Sequence, residues 1–500
     1  MKTLIRWLML SAICLTVPSL AQSETRVSGA LHGVWTPEDS PYIIEGYSRV
    51  PVDCVLVIQP GVTVELACAQ AVDVRGGFQA IGTQMDPIII EAESQAEGFH
   101  FEGAANDTVK LSHVLFSSTG VPSYALMSDG RPLAVDACQI WAQHVAIGCD
   151  GAAARIIGSR IGKTAAGDEG AVHLREATNS RLVRDTVRVD VPGTNDTWGI
   201  YVDDTPGLQI DSSDIRVSGS GHVAGIWCEG TCNGLFVNRS VIRAKTVSFF
   251  HWARGVHVWT SHTQNCLIEH CTVHVVSDHG DQSTVYLWGP TGAEVANSIL
   301  WLDGRGQGYF VYENGAEAFI DHCDLWQTES TVSGRTGGRG LDGEHEEDDG
   351  GNLYADPLFV SGEPFDYHLQ LGSPCIDSGD PDRPPDPDGT IPDIGALFFM
   401  CAATPDPEPV VPEDVFIGAA FPNPFNMSTV VPLELARPAL VDVVVFNILG
   451  QQEDRMAFTR LSAGRHLLPV HGNSWASGVY FIQVVVDGRR AATQRVVLMK

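Results

Sequence analysis

The 500-residue sequence predicts an all-β protein whose main body is a solenoid of parallel strands, and three observations carry that prediction. A short phrase recurs through the middle of the chain: an apolar residue, two variable positions, a small or polar residue, one variable position and a second apolar residue. It starts at Leu111 (LSHVLF), Val135 (VDACQI), Ile156 (IIGSRI), Leu182 (LVRDTV), Ile210 (IDSSDI), Phe236 (FVNRSV), Ile268 (IEHCTV), Val295 (VANSIL) and Ile320 (IDHCDL), at intervals of 21 to 32 residues. Ahead of most copies stands a strictly alternating phrase, AVHL, GIYV, GIWC, GVHV or TVYL, and alternation is the mark of a strand. A repeat of twenty-odd residues holding several short strands buries its inward side chains only against the turns above and below it, which is the logic of a solenoid. Finally, the composition changes after Cys401 to TPDPEPVVPED, so a separate, smaller unit follows.

The N-terminus sets the compartment. Lys2 and Arg6 precede an apolar run from Trp7 to Val17, and Ser19-Leu20-Ala21 supplies the small residues of a cleavage site, so residues 1–21 are expected to be a signal peptide. Cys14 follows the bulky Ile13 and does not make a lipidation site. No other segment offers the roughly 20 uninterrupted apolar residues of a membrane span. The mature protein is therefore expected to be secreted or held at the outer cell surface. With 31 basic and 61 acidic residues the formal charge is -30, which disfavours nucleic acid as a partner. Acidic loops in an exported protein instead suggest calcium. Twelve cysteines less Cys14 leave 11, an odd number, so at least one thiol lacks a partner within the chain.

Two resemblances sharpen the picture. GVWTPEDSPYIIEG with VLVIQPGVTVEL, the repeats, and ADPLFVSGEPFDYHLQLGSPCIDSGDPDRPPDPDGTIPDIGALFF together resemble exported right-handed parallel β-helix proteins of the pectate-lyase type, from about Gly29 to Phe399. The resemblance implies a capped helix over residues 22–352 and a closing module over 353–401. Residues 402–414 form a proline-rich acidic linker, expected to be extended. Beyond it, FPNPFN from Phe421, VVVFNILGQQ, SGVYFIQV and RVVLMK resemble the C-terminal sorting domain of type IX secretion substrates. That resemblance implies a small immunoglobulin-like β-sandwich over 415–500, with outer-membrane secretion and attachment machinery as its partner. Cys375 with Cys401, and Cys54 with Cys68, are candidate disulfides at the two ends of the helix.

Stacking the alternating phrases turns sequence into columns, since strands of neighbouring turns lie about 4.8 Å apart. Val172/Leu174, Ile200/Val202, Ile226/Cys228, Val256/Val258 and Val285/Leu287 are expected to point inward. His173, Tyr201, Trp227, His257 and Tyr286 then form an outward ladder of rings, expected to be exposed. A second outward column reads Arg175, Asp203, Glu229, Trp259, Trp288 and Glu313, with Gly199, Gly225 and Gly255 expected to leave a bare floor beside them. Eight of the 11 tryptophans fall between Trp141 and Trp326, so the enrichment is local. Rings suit the apolar face of a sugar, and carboxylates such as Glu229 suit its hydroxyl groups, so this strip suggests binding of extracellular polysaccharide. In the other phrase Cys271, Ser298 and Cys323 are expected inside, and His274, Trp301 and Trp326 outside.

Alternatives remain open. The stretch GVHVWTSHTQNCLIEHCTVHVV invites a zinc site of Cys266, Cys271, His274 and His279, but the register sends Cys271 inward and His274 outward. Asn195-Asp196, Asp203-Asp204, Gly221-His222 and Arg243-Ala244-Lys245 follow the order of polygalacturonase-type motifs, yet the first two pairs lie only eight residues apart, less than a turn. A lyase would need a cationic base near carboxylates. His257, His279, Lys245 and Asp203 are the catalytic candidates for a polysaccharide lyase or glycoside hydrolase acting on acidic glycans. Asp377, Asp380, Asp382, Asp386 and Asp388, with Asp393, alternate with Gly and Pro in a spacing that suits calcium. A non-enzymatic adhesin or structural surface protein is the third reading, because fold alone does not settle function.

Overall fold

The computed structural model describes residues 24–399 and 415–500 except 93–96, 104–107, 119–123, 192, 194, 249, 261–263, 278–279, 290–291, 306–307, 315, 329–350 and 361–365 and, later, 418–419, 421, 424, 436–437, 448–451, 463, 474 and 487–488. The segment expected to be a signal peptide, the segment expected to be a linker and Cys401 lie outside them. The chain divides into two compact units, Met1–Phe399 and Met400–Lys500.

The first unit is a right-handed parallel β-helix laying down three strands per turn. One turn comprises Arg181–Val183, Thr186–Val191 and Thr197–Asp203; the next comprises Gln209–Asp211, Asp214–Gly219 and Val223–Glu229. Corresponding strands pair in parallel, which builds three long sheets here called first, second and third in that order. Among the described residues the first sheet has 12 strands. The second and third are joined near their start by Tyr42–Val50, which pairs with both Thr63–Leu66 and Val72–Val74. A right-twisted strand followed by a crossover gives this handedness. Among the described residues no helix is long and apolar enough to cross a membrane.

The predicted inward columns form the core. Val172, Ile200, Ile226, Val256 and Val285 are each fully buried, as are Leu174, Val202, Cys228 and Leu287. The corner between the first and second sheets explains the repeated phrase. At Ala137, Arg184, Ser212, Arg239, His270, Asn297 and His322 the chain turns through one left-handed residue, with φ between 44° and 57°. The next residue is Cys138, Asp185, Ser213, Ser240, Cys271, Ser298 or Cys323. Its amide leaves the strand ladder, and a small polar side chain one turn later accepts from it: Ser159 from Cys138 (3.2 Å), Asp185 from Ser159 (2.8 Å), Ser213 from Asp185 (3.2 Å), Ser240 from Ser213 (3.1 Å) and Ser298 from Cys271 (3.0 Å). Buried amides need such partners, so the polar position recurs. The copy read from Phe236 is corrected by this ladder. Val237 pairs with Ile210 and Ile268, so that copy starts one residue later and presents Ser240.

The closing module folds back over the second sheet and its corner. Tyr367 and Ala396 pack against Val241, while Leu369, Cys375 and Ile394 pack against Ile299. Polar contacts fix it: Ala396 N donates to Thr272 Oγ1 (3.1 Å), Asp380 N to Asn297 Oδ1 (2.7 Å), and Arg383 bonds Glu269 (2.6 Å) and Glu294. Cys54 and Cys68 stand as separate thiols, and the Cys375 thiol donates to Asp324 (3.2 Å). The candidate Cys54–Cys68 bridge is therefore not formed, and the candidate Cys375–Cys401 pairing involves a residue outside those described.

The second unit holds two antiparallel sheets. One orders Val415–Ile417, Ser428–Leu435 and Gly464–His471; the other orders Gln452–Leu461, Ala439–Asn447, Gly478–Val486 and Arg489–Leu498. Val431, Leu433, Val443, Val445, Leu468, Ile482, Val484 and Val496 fill the space they enclose, as in a β-sandwich.

Candidate functional site

The outer face of the third sheet carries two side chains per turn. The ring column is in register as expected, His173 with Tyr201, Trp227, His257 and Tyr286, and it continues to Tyr312. It also extends the other way through Gly148 and Met127 to His100 and Asp73. The second column runs Glu102, Asp129, Asp150, Arg175, Asp203, Glu229, Trp259, Trp288 and Asn314. Glu313, expected to end it, instead pairs with Leu287.

Outward does not mean exposed here. His257 is 0% accessible and Tyr286 only 9%, whereas Trp259 is 46% and Trp288 37% exposed. Neighbouring rings cover one another: Trp259 and Trp288 stack at 5.1 Å and 9°, and Tyr286 and Tyr312 at 4.6 Å and 7°. Their faces are turned along the helix axis, so rims and the open end of the pile are what a ligand can touch. Trp198 and Trp252 enlarge the cluster, with Trp198 stacked on Trp227 (4.6 Å) and His222 on Trp252 (4.4 Å). The alternation hides Trp198 because it breaks at Gly199. A Cβ on Gly199, Gly225 or Gly255 would meet Val217, Ile242 or Val273 at 2.8, 2.4 or 2.1 Å, so these glycines face the core and are not an outer floor.

Two polar centres sit among the rings. Arg254 lies between Trp252 and Tyr286, 3.9 and 3.4 Å from their centroids, and donates to His257 (3.0 Å). Burial lowers the Arg254 guanidinium to about 10, and burial, then Arg254, pushes His257 well below its usual value. His257 is thus a neutral acceptor sealed from solvent. Glu229 accepts from Tyr201 Oη and from Trp227 Nε1 (3.1 Å). Burial and then this hydrogen bond raise Tyr201, and burial followed by Asp204 and Glu229 raises Asp203.

Among the described residues the catalytic candidates Lys245, Asp203 and His257 are not gathered. Lys245 belongs to the second sheet, between Ser218 and Val276. Asp203 and His257 stand two turns apart on the third, and His279 lies outside the described residues. The zinc quartet divides as the register requires: Cys266 and Cys271 are in the core, while His274 is on the outer side. His274 is nevertheless buried, stacked on Trp301 (3.8 Å) and bonded to Tyr367 Oη (2.8 Å) beneath the closing module. Among the aspartates proposed for calcium, Asp380 accepts from Asp382 N and Arg383, Asp386 from Asp393 N, and Asp388 from Thr390, while Asp377 N donates to Asp393. Of that set, only Asp380 joins a compact ligand-like group among the described residues, with Asp321 and His322.

A concavity of about 330 Å³ opens on the same third-sheet face, lined by Ala71, Glu97, Gly98, Phe99, His100, Tyr124, Met127 and Asp129. His100 is held between Asp129 (2.7 Å) and Glu102 (3.3 Å). Sequence reading missed it because these strands, FHFE and YALMSD, lack the glycine-led phrase. Aligning HFE, MSD, GCD, HLR, YVD, WCE and HVW would have joined them to the column.

The class defined by this architecture is the parallel β-helix with an appended β-sandwich. No family model and no curated protein matches the chain. Among solved structures it is similar to pectate lyase Pel9A, at 10% identity and a TM-score of 0.23, over 69% of this chain and 87% of that one. It is also similar to the full-length tailspike protein 2 of Escherichia coli O157:H7 bacteriophage CAB120, at 10% identity and a TM-score of 0.21, over 96% of this chain and 65% of that one.

Proposed function

We propose that this chain is an exported, surface-associated protein that binds extracellular polysaccharide along the outer face of the third sheet. The observation that carries the reading is the Trp259–Trp288 pair, which stays exposed beside the self-covered ring column and follows the carboxylates of Asp203 and Glu229 in the second column, Glu229 facing Trp259 directly. Exposed apolar rims beside hydrogen-bond acceptors suit a sugar chain lying along the helix axis. A repeated array of weak contacts, one per turn, suits a polymer better than a small molecule. Binding is favoured over cleavage by the separation of Lys245, Asp203 and His257 on different sheets or turns and by the burial of His257. The signal sequence and the type IX-like terminal motifs support export and attachment. Retention of the mature protein on immobilised polysaccharides is the test. The Trp259→Ala/Trp288→Ala variant is expected to lose retention while keeping its fold, and unchanged retention would reject the reading.

A further inference from the structure

The third-sheet face changes character along its length. Toward the C-terminal turns it is aromatic; toward the N-terminal turns its second column is a run of carboxylates, Glu102, Asp129, Asp150, Asp203 and Glu229, interrupted only by Arg175. Like charges on directly facing strand positions repel, so such a run is costly unless something balances it. The protein balances part of it: Arg75 pairs with Glu102 (2.9 Å) and Arg175 with Asp150 (3.8 Å). Among the described residues neither Asp203 nor Glu229 is in an ion pair. Asp129 meets the His100 imidazole through Oδ2, and its Oδ1 is shielded from solvent yet accepts no hydrogen bond. The Asp129 side chain lines the 330 Å³ concavity, whose rim adds the exposed Glu97 and whose other walls include Phe99 and Met127. The volume falls at the lower end of the range for sites that hold small ligands.

From this concavity and column we infer that the face selects a glycan bearing free ammonium groups, a polymer containing amino sugars, with one such sugar seated between Glu97, His100 and Asp129. An ammonium supplies three donors and a positive charge where acceptors are in excess. The apolar walls take the sugar ring, and a uronate carboxylate is repelled by the same groups. This goes further than the glycan-binding reading and rests on it only in placing the polymer along this sheet.

Calorimetric titration of the intact mature protein tests it, with three oligosaccharides compared at about pH 6, where a sugar amine is protonated: a glucosamine oligomer, its N-acetylated counterpart, and an oligogalacturonate. The glucosamine oligomer is expected to bind about tenfold more tightly than the acetylated one, with the advantage shrinking as salt rises. Asp129→Asn, and independently Glu97→Gln at an exposed position, are expected to erase that advantage. Equal affinity for the charged and acetylated oligomers, or preference for the galacturonate, overturns the inference. If the two oligomers bind equally and Trp259→Ala/Trp288→Ala abolishes both, the glycan-binding reading stands and the charge selectivity falls. If the tryptophan variant changes nothing while Asp129→Asn removes glucosamine binding, the concavity stands and the aromatic strip falls.

Discussion

Replacing Asp185 by asparagine should stabilise the β-helix at alkaline pH and leave it unchanged in acid. Asp185 is 1% exposed in the corner ladder, where Oδ1 accepts from Ser159 N (2.8 Å) and Oδ2 has no partner. Burial raises its carboxyl from 3.8 to about 7. For a carboxyl whose folded pKa exceeds its unfolded one, the stabilising contribution is complete below the unfolded value and is lost as pH rises through the folded value. Here the window runs from about pH 4 to about pH 7, and at 1.36 kcal/mol per pKa unit the loss is at most ~4 kcal/mol. Asparagine keeps the oxygen that Ser159 uses and carries no charge at any pH. Guanidinium unfolding of the wild type and Asp185→Asn, followed by tryptophan fluorescence, is expected to give equal midpoints near about pH 4 and a more stable variant by ~2–4 kcal/mol near about pH 8. Taking the difference removes the parallel titrations of Asp324 and Asp393, both raised to about 6 chiefly by burial. A difference that does not vary with pH would refute the assignment of a buried, uncompensated carboxyl at the corner.

Three further outcomes are expected. Gly255→Ala would place a Cβ 2.1 Å from Val273 Cγ1 and 2.5 Å from the Thr284 carbonyl, so thermal unfolding should show a loss of ~1–3 kcal/mol; an unchanged midpoint would mean the strand does not bend at that glycine. Ser298→Ala strands the buried Cys271 amide and should cost ~1–3 kcal/mol, whereas Ser298→Thr, which keeps the oxygen, should recover part of it. In denatured but unreduced protein, Cys54 and Cys68 should both react with an alkylating agent, and mass spectrometry showing them linked would contradict the separate thiols.

The columns were legible in the sequence because a solenoid converts a repeat into neighbours, and period-2 alternation then separates inside from outside. His173, Tyr201, Trp227, His257 and Tyr286 fell in one file on that ground alone. Their exposure was not legible. Whether an outward ring meets water depends on the rings a turn away, which is why His257 is sealed while Trp259, two residues on, is not. Alternation also misleads where a strand bends: at Gly199 two successive residues face the core, which hid Trp198 and turned the glycines the wrong way. His274 was hidden by a segment about ninety residues distant in sequence, since Tyr367 of the closing module covers it. The concavity at His100 was missed for a different reason. Its charged residues sit in turns whose strands do not share the glycine-led phrase, so they join the aromatic end only when the strands are aligned on the outward pair and not on that phrase.

Hydroxyl-radical footprinting of the mature protein, alone and with saturating amino-sugar polymer, tests the binding face most directly, because tryptophan oxidation reports contact residue by residue. Protection is expected at Trp259 and Trp288 on the third sheet, with no change at Trp141, which is 39% exposed but lies on the second sheet. Protection of Trp141 instead, or undiminished oxidation of Trp259 and Trp288 in the bound state, would contradict a glycan-binding third sheet.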